Sequence, residues 1–455
     1  MREAPSDNAG AQAPALFSFI TLREEAFGGI LFNPYTAVEC ELGPVETRLM
    51  ALCTGEYTVS DILSRCRQEF DLGSEAIAAK WQETLAMMTR AHAVRFVAQK
   101  GASPAPASRP GAIGTALPFS TPKSVIWDVT YACNLSCPHC LTSSGRPGKS
   151  ELGTVEAFRL VDKLAAAKVL YLSLAGGEPF ARRDIWELLR HIAKTGMRVD
   201  IATNGYRVPP AIIEGLADLP VFQIQVSIDG IGEDHDRFRG KRGAFADACA
   251  ALRRFKETGL STSISTTATA GNIDSIGQII DLAVELGCDG YKAIPFIPAG
   301  RGKTHGAKLR LDREGSIRLT ETLARKQAEL QGKISISMKS TFLFLLDKDL
   351  VPAPAEGKMI CSAGYDELSV GADGTAYPCP FLHDFPLGSL VNDSVEEIWR
   401  ESRLLNEMRN LEKAEMTGPC RTCGYASEHC RGGCRASAFM ATGSLKGSDP
   451  LCFKS

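Results

Sequence analysis

The sequence predicts an α/β protein whose main part is an open, partial (β/α)6 barrel. Three observations predict this class. Between residues 125 and 297, six apolar or β-branched runs of strand length alternate with amphipathic helical stretches. Before them lies a small unit in the order β-β-β-α-α-α, and after about residue 335 short elements are interrupted by cysteine, glycine and proline.

The barrel strands are the most regular feature of the sequence. Helical stretches such as Val155–Ala167 and Ile185–Lys194 separate them, and repeated β-α units require right-handed crossovers and a parallel sheet. Ligands of such sheets bind beyond the carboxyl ends of the strands. The predicted strands are Val125–Tyr131, Val169–Ala175, Arg198–Thr203, Phe222–Ile228, Ser261–Ala268 and Tyr291–Ile297.

The N-terminal unit, residues 17–97, is predicted to be a winged-helix-like β3α3 domain. A linker rich in Ala, Gly, Pro and Ser follows at 98–120. The barrel is assigned to 121–334 and the cysteine-rich domain to 335–455. The strand-like stretches of the first domain are Leu16–Leu22, Gly29–Phe32 and Ala37–Leu42, and its helices begin near Pro44, Ser60 and Ser74.

Composition narrows the function classes. A formal net charge of -2 gives no reason to expect a nucleic-acid or membrane partner. Residues 1–16 lack the apolar core of a secretion signal, and no apolar run is long enough to span a bilayer, so we expect a cytoplasmic protein. Disulfides are disfavoured in that compartment, so clusters among the fifteen cysteines indicate metal sites or catalysis.

Three cysteines follow the first barrel strand in a C-x3-C-x2-C pattern: Cys133, Cys137 and Cys140. Three thiolates on one loop can hold three irons of a [4Fe–4S] cluster, which normally takes four cysteines, so one iron would remain open to another ligand. The alternatives are a structural zinc site or packed thiols. The spacing lacks the paired C-x2-C and distant histidines of common zinc modules.

This loop resembles that of the radical S-adenosylmethionine (SAM) superfamily. The resemblance implies that SAM binds the open iron and that a reduced cluster cleaves SAM to a 5′-deoxyadenosyl radical, which abstracts hydrogen from the substrate. It assigns no catalytic residue beyond the cluster.

Further matches to the superfamily follow the later strands. Gly176-Gly177-Glu178-Pro179 resembles the motif at the SAM amino group, and Arg239 resembles an arginine on its carboxylate. The alternative for Arg239 is a solvated surface charge, and for His139 a loop histidine without a role. The SAM-binding residues implied by the resemblance are His139, Gly176, Gly177, Glu178, Pro179, Asn204, Ser227, Asp229 and Arg239.

Seven C-terminal cysteines resemble the SPASM extension, which binds auxiliary iron–sulfur clusters. The resemblance implies one or two such clusters: a distal one on Cys420, Cys423, Cys430 and Cys452, and a proximal one on Cys361, Cys379 and Cys434. The proximal set has three cysteines only, so it has an open iron, a non-cysteine ligand or a different nuclearity. One or two zinc sites are the alternative.

Residues 17–97 resemble the peptide chaperone of pyrroloquinoline quinone synthesis, a recognition element for ribosomally made, post-translationally modified peptides. Such domains bind a leader peptide as an added strand. A generic small domain or a dimerisation module is the alternative. The remainder resembles the mycofactocin and pyrroloquinoline quinone maturases, on "VTYACNLSCPHCLTSSG" and "CRGGCRASAFMATG".

These resemblances imply an enzyme that modifies a precursor peptide, favouring an oxidative C–C or C–S crosslink, with a flavodoxin- or ferredoxin-type electron donor. The alternatives are peptide decarboxylation or epimerisation, a tetrapyrrole-modifying enzyme, and a non-catalytic peptide-binding or electron-transfer scaffold. A sulfatase-maturing enzyme is disfavoured because Pro380, and not the aspartate of that class, follows Cys379.

Overall fold

The computed structural model describes residues 12–99, 119–148, 150–219, 221–338, 342, 345–346, 361–426 and 430–454. Most of the predicted linker, at 100–118, lies outside these ranges. The chain divides into two compact units, one formed mainly by the residues before 121 and the other by those after it.

The first unit contains the predicted three-stranded antiparallel sheet and three helices. Strands β2, β3 and β4 pair in that order, and β1 pairs with β5 in a separate two-stranded ribbon that the sequence did not predict. The elements are β1 Gln12–Leu16, β2 Thr21–Glu25, β3 Gly28–Asn33, β4 Val38–Leu42, α1 Pro44–Ala51, α2 Val59–Phe70, α3 Ser74–Arg90 and β5 Val94–Ala98.

Local signals explain these helices. Pro44 starts α1, where its missing N–H costs no hydrogen bond, and Thr58 forms a capping box with Asp61 at the start of α2. Apolar residues at helical spacing, such as Ile77 and Trp81, pack into one core under the sheet. The predicted strand Leu16–Leu22 is wrong: β1 ends at Leu16, a turn follows, and β2 begins at Thr21.

The second unit contains the predicted partial barrel. Its described residues form one sheet in the order β12-β11-β10-β9-β8-β7-β6-β13-β14-β15, and the ladder between β6 and β7 and those joining β8 through β12 are parallel. The strands are β6 Ser124–Thr130, β7 Tyr171–Gly176, β8 Arg198–Thr203, β9 Val221–Ser227, β10 Ser261–Ala268, β11 Gly290–Pro295, β12 Ser335–Met338, β13 Glu367–Val370, β14 Thr375–Tyr377 and β15 Gly388–Ser389.

Helices cover the outside of this sheet, so the class of fold is confirmed. On β6, Val125, Trp127 and Val129 are fully buried on the helix side, while Ile126 and Asp128 alternate with them toward the interior. The helices are α4 Thr154–Ala166, α5 Ile185–Ile192, α6 Pro210–Leu216, α7 Glu233–Arg239, α8 Ala244–Glu257, α9 Ile276–Glu285, α10 Gly306–Leu309, α11 Arg313–Glu329, α12 Ser362–Tyr365, α13 Val395–Glu401, α14 Arg403–Arg409 and α15 Arg435–Thr442.

The C-terminal cysteine-rich region joins the barrel sheet directly. Strand β13 pairs in parallel with β6, with Glu367 opposite Ser124 and Val370 opposite Trp127. Strands β14 and β15 then extend the sheet by antiparallel pairing. The exposed edge that an open barrel would leave at β6 is therefore covered.

Candidate active site

A cavity of about 1010 Å³ fills the interior of the partial barrel. Of the predicted SAM-binding residues, Glu178, Pro179 and Asp229 do not line it and lie behind its wall. The predicted site residues that do line it are Cys133, Cys137, His139, Cys140, Gly176, Gly177, Asn204, Ser227, Arg239, Cys361, Cys379 and Cys434. The structure thus brings the N-terminal cysteine loop and the proximal C-terminal cysteines to one cavity.

Of the three thiols in the N-terminal cysteine loop, that of Cys137 is buried and those of Cys133 and Cys140 are half-buried. Burial raises the pKa of Cys133 to about 11 and also raises that of Cys137, so this environment disfavours bare thiolates. Iron supplies the positive charge that thiolate ligands need. Positive charge also comes from Arg239, whose Nη1 lies 3.8 Å from the Sγ of Cys137.

Arg301, which sequence reasoning missed, holds the same loop from the far side. Its Nε donates to the carbonyl of Cys137 at 2.8 Å, and its Nη2 donates to that of Ser144 at 3.0 Å. The loop approaches closely because Gly300 has φ of +51°, and a Cβ there would lie 2.1 Å from the Leu141 carbonyl oxygen. The sequence signal that could have identified Arg301 is its place in a Gly-Arg-Gly sequence just beyond the sixth strand.

The two glycines after β7 are required by the chain itself. A Cβ on Gly176 would lie 2.4 Å from the carbonyl oxygen of Thr130, and one on Gly177 would lie 2.2 Å from that of Ala132. The amide of Gly177 donates to Thr130 at 2.7 Å, which ties the end of β7 to the start of the cysteine loop. Only glycine fits this backbone contact.

Glu178 anchors the end of β8. Its carboxylate accepts hydrogen bonds from the Asn204 amide at 2.8 Å, the Thr203 hydroxyl at 2.8 Å and the Phe180 amide at 3.2 Å. The Asn204 side chain in turn donates to Asn134 Oδ1 at 2.8 Å, within the cysteine loop. Glu178 therefore positions Asn204, and through it the loop, from behind the cavity wall.

Arg239 is 8 % exposed, so the alternative of a solvated surface charge is wrong. Its Nη2 pairs with Asp229 Oδ2 at 2.6 Å, and the second carboxylate oxygen of Asp229 accepts the Thr267 amide at 2.8 Å. His139 is buried and stacks on Phe238 with ring centroids 4.3 Å apart. The structure thus directs Arg239 toward Asp229 and the Cys137 thiol.

The proximal cysteines converge on an apolar cluster that includes Leu382 and Ala436. Burial raises the pKa of Cys434 to about 12. Burial, with Cys361 and Cys434 nearby, raises the pKa of Cys379 well above its usual value. Cys434 caps α15, and its amide donates to Asp449 Oδ2 at 2.7 Å. These three thiols fit an iron–sulfur cluster with one position left for another ligand.

The distal cysteines line a second, much smaller cavity next to Tyr425 and Ala426: Cys420, Cys423, Cys430 and Cys452. Burial, with Cys452 and Cys420 nearby, raises the pKa of Cys430 to about 11. Four converging thiols match the ligand set of a closed [4Fe–4S] cluster.

All fifteen cysteines fall in described ranges, and none of them forms a disulfide. Among the described residues, no three His, Cys, Asp or Glu side chains close on one point as the ligands of a single ion would. Thiolates of a cluster each bind a different iron and so stand further apart than the ligands of one ion.

Two family models match the chain. The radical SAM superfamily matches residues 127–283, and the SPASM iron–sulfur cluster-binding domain matches residues 361–424. The SPASM match lies within the second compact unit, and so does the radical SAM match apart from Thr195–Arg198.

Among sequence relatives, mycofactocin maturase MftC of Mycolicibacterium smegmatis is 33% identical over 73% of this chain and 83% of its own length. An AdoMet-dependent heme synthase of Methanosarcina barkeri is 32% identical over 73% of this chain and 97% of its own. PqqA peptide cyclase of Ruegeria pomeroyi is 29% identical over 73% of this chain and 88% of its own length.

Among solved structures, Streptococcus suis SuiB bound to S-adenosylmethionine covers 96% of this chain and 99% of its own, with a TM-score of 0.72 and 18% identity. SuiB has also been solved with its precursor peptide SuiA. At this identity the likeness is one of fold.

The chain belongs to the radical SAM superfamily, in the group whose members carry a C-terminal SPASM domain. It is an enzyme. Its cofactors are SAM, the radical-generating [4Fe–4S] cluster and iron–sulfur in the SPASM domain. In the ranges that the structure describes, no helix is both long and apolar enough to cross a bilayer.

Proposed function

We propose that this enzyme is a peptide maturase, acting on a ribosomally made precursor and favouring an oxidative C–C or C–S crosslink. The observation that carries the proposal is the share of this chain that is covered by the sequence relatives and by the structure of SuiB. The sequence relatives match 73% of the chain, whereas the fold of SuiB, which has been solved with a precursor peptide, extends over 96% of it. We retain the segments 17–97, 98–120, 121–334 and 335–455 as the proposed domains.

The proposed docking site for the leader is the edge of β4. The other edge strand, β2, is occupied by the chain: Glu25 Oε2 accepts the Ser120 amide at 2.7 Å, and Arg23 lies over the Phe119 ring. On β4, Val38, Glu39 and Cys40 are half-buried. An extended peptide added there gains main-chain hydrogen bonds, which suits recognition of a leader sequence.

When bound, a reduced [4Fe–4S] cluster and SAM supply a 5′-deoxyadenosyl radical that removes a hydrogen atom from the peptide. We assign the cluster to Cys133, Cys137 and Cys140, and the SAM site to the cavity residues Gly176, Gly177, Asn204, Ser227, Arg239 and His139. Glu178 and Asp229 act from behind the wall. The enclosing barrel excludes water from reactive species.

We assign the auxiliary clusters to the proximal and distal cysteine sets. The distal set offers four thiols, which closes its cluster. The proximal set offers three, which leaves one iron position for a substrate group or another ligand. The electron donor is proposed to be a flavodoxin or ferredoxin in the cytoplasm, where free thiols persist.

The second candidate function is tetrapyrrole modification, favoured by the similarity to the heme synthase. That enzyme is matched over 97% of its own length but only 73% of this chain, so roughly a quarter of this chain has no counterpart in it. A tetrapyrrole substrate also gives no role to a peptide-docking strand edge. Peptide maturation accounts for both observations.

The test is to identify a short reading frame that encodes a candidate precursor next to the gene, co-express it with the enzyme, and measure the mass of the peptide. Loss of two hydrogens indicates a crosslink, a larger loss decarboxylation, and deuterium uptake from heavy water at otherwise unchanged mass an epimer. Deleting residues 1–97 should retain SAM cleavage without peptide but weaken precursor binding at least ~10-fold. Equal affinity after that deletion would remove the docking proposal, and turnover of a tetrapyrrole instead of the peptide would favour the second candidate.

A further inference from the structure

Asp128 is a buried carboxylate in the wall of the barrel cavity, and it belongs neither to the cysteine sets nor to the proposed SAM site. It lies on β6, shortly before the cysteine loop, and is 3 % exposed. Gly176 packs directly against it, since a Cβ on that glycine would lie 3.1 Å from the Asp128 Cα. The carboxylate therefore stands beside both the predicted cluster loop and the predicted SAM motif.

One oxygen of this carboxylate has no hydrogen-bond partner among the described residues. Asp128 Oδ2 is buried and faces His383 Nε2 at 3.8 Å, and that nitrogen is likewise buried without a partner. The distance exceeds that of a direct hydrogen bond. Buried polar atoms are nearly always paired in native proteins, so two that face each other at the cavity call for an explanation, and a role in proton transfer provides one.

The surroundings keep this carboxyl ready to exchange a proton. The titratable groups that face it are Tyr131 at the end of β6, Tyr377 of β14 and His383, whose ring stacks on Tyr377 at 4.4 Å. Burial alone raises the pKa of Asp128 to about 7. Burial lowers the pKa of His383, while Asp373 and Asp384 act in the opposite direction.

The cavity requires such a group. An oxidative crosslink removes two hydrogens from the peptide, one as an atom and the other as a proton plus an electron. Pro380, next to Cys379, has no group that could accept the proton. Asp128 lies in the same cavity as Cys379, and His383 follows Cys379 closely in the chain.

We propose that Asp128, backed by His383, accepts the proton released in the oxidative step, an inference that rests on the proposed maturase function. The substrate carbon loses a hydrogen atom to the SAM-derived radical, which leaves as 5′-deoxyadenosine. The carbon radical then bonds to a second substrate atom, whose own hydrogen passes as a proton to the Asp128 carboxylate. The remaining electron goes to an auxiliary iron–sulfur cluster.

The experiment compares wild-type holoenzyme with Asp128→Asn and His383→Gln. The matched control is Asp162→Asn, which alters a surface Asp–His pair: Asp162 Oδ1 lies 2.7 Å from His191 Nε2. The substrate is the synthetic peptide whose mass changes in the co-expression test described under the proposed function. The readouts are 5′-deoxyadenosine, peptide mass, and the infrared band of a protonated carboxyl group in the peptide-free protein.

Asp128→Asn should slow crosslinking at least ~100-fold, and by far more than it slows the formation of 5′-deoxyadenosine. His383→Gln should slow crosslinking less, because the carboxylate remains. Wild-type crosslinking should rise with pH through about 7, as the carboxyl ionises, and the variant should lose this rise. The infrared band should disappear over the same range in wild type and in Asp162→Asn, and be missing from Asp128→Asn.

Crosslinking by Asp128→Asn at the wild-type rate would overturn the inference. So would an equal loss of 5′-deoxyadenosine and product, which indicates damage to the cofactor site. A wild-type enzyme that forms 5′-deoxyadenosine yet leaves the peptide unchanged would instead refute the proposed function, and this inference with it.

Discussion

Arg301 is hydrogen-bonded to the carbonyl of Cys137 through its Nε at 2.8 Å, which joins the loop after the sixth barrel strand to the middle of the cysteine loop. The Arg301 amide adds a third bond, to the Cys140 carbonyl at 3.0 Å. A planar guanidinium can satisfy two carbonyls at a fixed angle, so the residue sets the loop's shape before any iron arrives.

We expect Arg301→Gln to weaken retention of the radical-generating cluster about 10- to 100-fold, because supporting contacts of this kind tune metal affinity by that amount. Cluster retention in Arg301→Lys should lie between that of wild type and that of Arg301→Gln, since an ammonium group cannot donate to two carbonyls in the planar geometry of a guanidinium. Iron released during a chelator challenge measures the effect. Arg318→Gln, which breaks a surface ion pair with Asp274, is the control. Equal iron retention in Arg301→Gln and the control would contradict the loop-holding role.

Cys137→Ala should abolish SAM cleavage, with a loss of at least ~100-fold, because it removes a proposed iron ligand. The auxiliary clusters should remain visible by electron paramagnetic resonance, since their cysteines are a separate set. Cys249→Ala, a buried thiol within α8, is the matched control. Unchanged formation of 5′-deoxyadenosine by Cys137→Ala would refute the ligand assignment.

Glu178→Gln should lower the free energy of unfolding by about 1–3 kcal/mol. Glu178 Oε2 now accepts a hydrogen bond from the backbone N–H of Asn204. The NH2 group of glutamine in that place cannot accept it, which leaves a buried donor unpaired. Thermal unfolding gives the stability, and titration with SAM shows whether the displaced Asn204 weakens binding. Glu314→Gln, at an exposed position of α11, should change neither. Wild-type stability in Glu178→Gln would show that this carboxylate is not the anchor described.

The buried imidazole of His235 should make the protein acid-sensitive. Burial, with Arg239 nearby, lowers its pKa to about 3, and its Nδ1 accepts the Asp229 amide at 3.1 Å. Below pH 6.5 the unfolded chain binds a proton here that the folded chain does not. The free energy of unfolding therefore falls with falling pH, by up to about 1.4 kcal/mol per pH unit, until about pH 3.

His235→Asn keeps an acceptor for the amide but cannot take up this proton, so its stability should depend less on pH between about 6.5 and 3. Unfolding midpoints measured across that range check this. His305→Asn, at an exposed position, should keep the wild-type slope. Parallel slopes for wild type and His235→Asn would show that another group governs the acid response.

The sequence predicted the features that depend on local order. The barrel strands are long runs bounded by turns, and the cysteine motifs have short, fixed spacings, so both are readable without a fold. The ribbon of β1 and β5 was not predicted, because "QAPAL" lacks the β-branched residues of a strand and its partner lies at the far end of the unit.

The site contained two further features that no local pattern encodes. The resemblance to the radical SAM superfamily implies that Arg239 lies near SAM, yet its pairing with Asp229 depends on how the loop after β9 turns back on itself. Asp128 looked like one residue of an apolar strand, and only the closed sheet shows that it faces the cavity and His383. The first contact depends on the conformation of a loop, and the second on packing between residues remote in sequence.

The parallel ladder between Ser124–Trp127 and Glu367–Val370 has a mechanical consequence. The cysteine loop at the end of β6 and Cys379 beyond β14 are both attached to one continuous hydrogen-bonded sheet. That sheet would hold the tunnelling distance between the two metal centres nearly constant, so the rate of electron transfer between them should be insensitive to solvent viscosity.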